Sequence, residues 1–136
     1  MDIERFKQQH VEILQGIASL RKSTHAGIAE NAAEIARQIK ALGSLVTLHL
    51  AIEDRILYPS LQQGSDAKLA EMGRAYQDDM KGIANGFIAF ARKWGVAGTV
   101  AEKAEEFRAE ANAVLKVLHF RMQKENTEFY PAIERA

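Results

Sequence analysis

Six residues have types that suit metal ligation or proton transfer: His10, His49, Glu53, Tyr76 and Glu125, in positions that helical periodicity assigns to the core, and His119, which follows the stripe residue Leu118. Burying a polar or ionisable side chain is costly unless something pairs with it, and several buried together need a common partner. In His49-x-x-x-Glu53 the two side chains are four residues apart, which puts them on one face of a helix where they can grip a single ion. The chain has no cysteine, so thiolate sites, disulfides and thiol nucleophiles are excluded and any metal must sit on nitrogen and oxygen. Imidazole and carboxylate donors suit iron, manganese or zinc, and carboxylates that can bridge suit a pair of ions.

Each of these residues also has an ordinary structural reading. His10 reads equally as a core histidine bonded to a neighbour, and His49 with Glu53 as a hydrogen bond along a helix face. Glu125 has Arg121 and Lys124 within reach as ion-pair partners. Tyr76 either ligates a ferric ion as a phenolate or hydrogen-bonds a carboxylate.

The elements that must position these side chains are helices. Ile3, Phe6, His10, Ile13, Ile17 and Leu20 follow one another at spacings of three and four, which predicts a first helix from Asp2, as N-cap, to about Lys22, with a turn over residues 23–27. Ile35, Ile39, Leu42, Val46, His49, Glu53 and Ile56 form a second stripe, expected to bend or stop near Tyr58-Pro59 because proline lacks an amide proton. Gly64 followed by Ser65 and Asp66 marks a stop and a new N-cap, and the third stripe runs Leu69, Met72, Tyr76, Met80, Ile83, Phe87, Phe90, Trp94. Gly95 and Gly98 mark the next turn. Thr99 with Glu102 has the spacing of a capping box opening a fourth helix, whose stripe is Val100, Ala104, Phe107, Ala111, Val114, Leu118, Glu125 and Phe129. Four such helices joined by short turns predict one domain over residues 1–136, all-α, packed as an antiparallel up-down-up-down four-helix bundle. Counting from the turns puts the six polar residues at similar heights, in the half of the bundle that holds both termini.

At these residues the sequence resembles the hemerythrin-like HHE cation-binding family. His10 matches the family's early histidine in the first helix, and His49-Leu50-Ala51-Ile52-Glu53 followed by Leu57-Tyr58-Pro59 matches its H-x-x-x-E with an aromatic-proline ending. The resemblance covers essentially the whole chain. It implies a non-heme di-iron centre, with zinc or manganese as other ions the donors suit, and roles in reversible oxygen binding, oxygen, nitric-oxide or redox sensing, or iron handling, without a named turnover reaction. The chain departs from the family in two places. The third helix has no histidine; at the right height it offers Tyr76, Gln77 and Asp79. His119 precedes Glu125 by six residues, about 120° away around an ideal helix unless a π-bulge repairs the offset, and the register puts Arg121 opposite His49.

The remaining features narrow the classes. Eighteen basic and eighteen acidic residues give zero formal charge, so there is no electropositive footprint for nucleic acid. No apolar run reaches the length of a membrane span and no signal-peptide pattern opens the chain, so a cytoplasmic protein is expected. A histidine phosphotransfer bundle needs an exposed histidine, whereas His10 and His49 lie in apolar stripes. A bundle whose metal site has decayed into an interaction or structural module is the competing function.

Overall fold

Periodic apolar stripes leave each helix one face to bury, and a computed structural model, describing residues 2–136, shows those faces turned inward. α1 spans Glu4–Ala26, α2 Ala32–Ile52, α3 Tyr58–Gln63, α4 Ala67–Trp94, α5 Ala97–Glu102, α6 Ala104–Lys124 and α7 Tyr130–Arg135. Two five-residue π turns, Glu53–Leu57 and Glu125–Phe129, join α2 to α3 and α6 to α7. The fold is an all-α helical bundle, with no strand among the described residues.

Local sequence explains several boundaries. α1 runs on through the expected turn to Ala26 and stops at Gly27, whose φ of 129° is open only to glycine without strain. The Asn31 side-chain amide then donates to the Gly27 carbonyl at 2.8 Å and closes the turn. At the other end Asp2 accepts from the Glu4 amide, while the position flanking the helix is Ile3. Asp66 caps α4 as expected, accepting from the Leu69 amide at 3.0 Å. The Thr99–Glu102 capping box does not form. Residues 97–102 are already the short helix α5, and the chain leaves helical geometry at Lys103 before α6 begins.

The α-helical geometry of α2 ends at Ile52, ahead of Tyr58-Pro59, and the chain stays helical through a π turn. In an α-helical turn the Pro59 ring would collide with the Arg55 carbonyl. Widening that turn removes the collision, and the Tyr58 amide bonds back to the Glu53 carbonyl, five residues earlier. The same device recurs before Pro131, where the Tyr130 amide bonds to the Glu125 carbonyl. Each π turn therefore begins at a buried glutamate and hands on to a buried tyrosine.

The apolar interior falls into two clusters. The larger joins Ile13 and Ile17 of α1, Ile39 and Val46 of α2, Met80, Phe87 and Trp94 of α4, and Phe107, Leu118 and Met122 of α6. The smaller gathers Phe6, Ile52, Leu57, Tyr58, Tyr76, Phe129 and Tyr130. Along three stripes the junction between them is marked by a polar residue: His10 between Phe6 and Ile13, His49 between Val46 and Ile52, Glu125 between Met122 and Phe129. α4 passes the same junction between Tyr76 and Met80 without a buried histidine or carboxylate of its own.

Candidate metal centre

α1 carries His10 to the junction, the end of α2 carries His49, and the first residues of the two π turns carry Glu53 and Glu125. All four are at most 1% exposed, and one ligand atom from each lies within 4.8 Å of the others. His10 Nε2 is 2.9 Å from Glu125 Oε1 and 3.0 Å from His49 Nε2, while His49 Nε2 is 3.3 Å from Glu53 Oε2.

The outer ring nitrogens explain why both Nε2 atoms face inward. His10 Nδ1–H donates to Asn126 Oδ1 at 2.8 Å, and His49 Nδ1–H donates to Gln9 Oε1 at 2.7 Å. These bonds fix Nδ1–H on both rings, so that each Nε2, when unprotonated, turns a lone pair inward, the arrangement by which ligating histidines are oriented. Two lone pairs 3.0 Å apart repel unless a proton or a metal cation lies between them. The donor set is two imidazoles and two carboxylates, buried and convergent, and it fits a borderline or hard metal ion such as iron, manganese or zinc.

The electrostatics show the demand for positive charge. Burial alone would depress His49, but hydrogen bonds and attraction from Glu125 and Glu53 outweigh it and raise its pKa to about 9. Burial and the charge of Glu125 raise Glu53. Burial opposes ionisation of Glu125 too, yet hydrogen bonds from His10 and His49 and the nearby Arg121 charge hold it well below the usual carboxylate range.

Two further residues belong to the constellation. Tyr130 OH lies 3.0 Å from His10 Nε2, 3.2 Å from Glu53 Oε2 and 3.4 Å from Glu125 Oε1, so it reaches three of the four donors. Burial and then the two carboxylates raise its pKa and keep the phenol protonated. Arg121, 2% exposed, donates from Nε to Glu125 Oε2 at 2.9 Å. The ion pair between Arg121 and Glu125 was legible in their four-residue spacing. Tyr130 was not singled out, although Glu125-x-x-x-x-Tyr130-Pro131 repeats the spacing of Glu53-x-x-x-x-Tyr58-Pro59 and is the signal that finds it.

Two expected members stand outside the four-residue group. His119 is half-buried and accepts from Arg21 Nη1 at 3.4 Å. The π turn begins at Glu125, after His119, and so leaves the angular offset unrepaired. Tyr76 takes the second of its two anticipated roles. Its hydroxyl donates to a carboxylate, Glu128 Oε2 at 3.0 Å, and its ring stacks on Phe129 with centroids 4.4 Å apart.

A helical bundle whose interior is crossed by a buried layer of convergent histidines and glutamates defines a class: all-α domains with a candidate metal site. Residues 1–133 match the model of the hemerythrin HHE cation-binding domain, and the chain belongs to that family. No curated protein and no solved structure matches it.

Proposed function

We propose that this chain binds a non-heme metal ion, iron in the first instance, and uses it to bind or sense a small ligand such as dioxygen or nitric oxide, or to hold iron itself. The observation that carries the proposal is the convergence of His10, His49, Glu53 and Glu125, one donor atom from each within 4.8 Å of the rest. Iron bound there would supply an open coordination position and a reversible change of charge. The protein's own share is orientation and exclusion. Gln9 and Asn126 hold the two rings, and the apolar clusters on either side keep bulk water away. With every donor residue at most 1% exposed, a diatomic ligand is of a size to enter where an organic substrate is not. The Tyr130 hydroxyl lies against the donors and is placed to give a hydrogen bond within the site.

A second reading is favoured by one observation. Tyr130 and Arg121, with the His10–Glu125 and His49–Glu53 contacts, give the cluster internal partners, so it also fits an interaction or structural module whose metal site has decayed. Elemental analysis with an absorption spectrum, on protein purified without chelators from iron-supplemented cells, separates the two. Stoichiometric iron supports the first reading. Folded protein without metal that also fails to take up ferrous iron or zinc on reconstitution supports the second.

A further inference from the structure

The sequence repeats one register on two helices: His49-x-x-x-Glu53-x-x-x-Leu57-Tyr58-Pro59 and Arg121-x-x-x-Glu125-x-x-x-Phe129-Tyr130-Pro131. In both copies the glutamate opens a π turn and the tyrosine closes it. The copies differ in their first member, an imidazole in one and a guanidinium in the other. Arg121 is buried like His49 and fully engaged. Beyond its bond to Glu125, Nη1 donates to Asp79 Oδ2 at 2.6 Å and Nη2 to the Tyr76 carbonyl at 2.5 Å, and the guanidinium lies 4.5 Å from the centre of the Tyr76 ring.

We infer that the Arg121 guanidinium is a resident cation standing in for a second metal ion, so that the site takes one ion per chain, held by His10, His49, Glu53 and Glu125. This rests on the metal-binding reading above. Donor supply is the first reason. α4 brings no histidine or buried carboxylate to the layer, and Arg121 reaches across to that side and occupies its acceptors at Tyr76 and Asp79. The carboxylate oxygens are the second. Glu125 turns Oε1 towards the histidines and commits Oε2 to Arg121, which leaves it no free oxygen with which to bridge to another ion. Charge is the third. Two glutamates and one guanidinium leave the buried layer at minus one when the imidazoles are neutral. One divalent ion takes it to plus one and a second to plus three, among like charges a few ångströms apart in a medium of low dielectric constant. Asp79 offsets little of this, because its side chain is 62% exposed.

The test counts ions on the full-length, metal-free protein titrated anaerobically with ferrous iron and, separately, with zinc, followed by calorimetry and elemental analysis. Wild type should take up one ion per chain and, after oxidation of the iron, show the electron paramagnetic resonance of an isolated high-spin ferric ion. Two ions per chain with the silent spectrum of a coupled pair would overturn the one-ion assignment and leave metal binding intact. No uptake of either metal would overturn both. Arg121→His frees Glu125 Oε2 and Asp79 and restores an imidazole at that register, so it should raise the capacity to two, whereas Arg121→Lys, which keeps the charge, should stay at one. An Arg121→His protein that is folded by circular dichroism yet still binds one ion would show that Arg121 does not exclude the second. Should that variant not fold, the wild-type and Arg121→Lys counts decide.

Discussion

At the level of single side chains, what makes the cluster legible is polarity in the wrong place. His10, His49, Glu53 and Glu125 interrupt apolar stripes, and the structure brings those four together. His119 stands next to its stripe, off the line of Glu125, and lies beside Arg21. Stripe position alone does not reveal the groups that orient the rings, because Gln9 and Asn126 are ordinary polar residues on partly exposed faces. Their importance can be measured. Gln9→Ala removes the acceptor that holds His49 Nδ1–H, and loss of such an outer hydrogen-bond partner typically weakens metal affinity by about 10–100-fold. Zinc titration of the metal-free variant should show a drop of that size with stoichiometry unchanged. An affinity equal to wild type would mean that His49 needs no such orientation, or is not a ligand.

Tyr130 yields a sharper test at the same scale, because the sequence singled out Tyr76 and the structure puts Tyr130 against the cluster instead. Tyr130 OH touches His10, Glu53 and Glu125, whereas Tyr76 OH is committed to Glu128. Tyr130→Phe should cost the metal-free protein about 1–3 kcal/mol in urea unfolding, since buried carboxylates lose a donor. In ferric-loaded protein any phenolate-to-iron absorption in the visible should vanish in Tyr130→Phe and persist in Tyr76→Phe. Persistence in Tyr130→Phe would mean that a phenol other than Tyr130 reaches the iron.

At the level of elements, the four long stripes and the Asp66 cap read directly from spacing, and the departures have local causes. Proline signals only that an α-helical turn cannot continue. Whether the chain stops or widens depends on what holds the far side, and here Tyr58, Leu61, Tyr130 and Ile133 are packed into the smaller apolar cluster, so the turns widen and the helices go on. A three-residue spacing rule also cannot tell Thr99 as a cap from Thr99 inside a short helix. The first helix runs four residues beyond its expected end at Lys22 and stops at Gly27, the last residue of the expected turn, whose positive φ makes a prediction: Gly27→Ala should destabilise the fold by about 1–2 kcal/mol by forcing a β-carbon into strained backbone, with metal stoichiometry unchanged. A loss below a few tenths of that value would mean that the α1–α2 turn relaxes into another geometry.

At the level of the whole molecule, the division of the interior into two apolar clusters decides how metal and fold depend on each other. The larger cluster, with Trp94, Phe107, Phe87 and their neighbours from α1, α2, α4 and α6, owes nothing to the polar layer. The metal-free chain should therefore stay folded, unlike small domains whose core is the metal site itself. The layer nonetheless ties α1, α2 and α6 through side chains far apart in sequence, so an ion bound by the native state alone must add stability in proportion to its occupancy. At free metal about 100 times the dissociation constant the gain is about 2.7 kcal/mol, which for a chain of this size raises Tm by about 10 °C. Thermal unfolding with excess zinc and with chelator measures that gap directly. His49→Ala should abolish it while keeping the helical signal, because three donors remain where four converged. An equal rise in wild type and His49→Ala would place the ion elsewhere on the molecule, and a wild type that does not unfold cooperatively without metal would mean that the larger cluster cannot sustain the bundle alone.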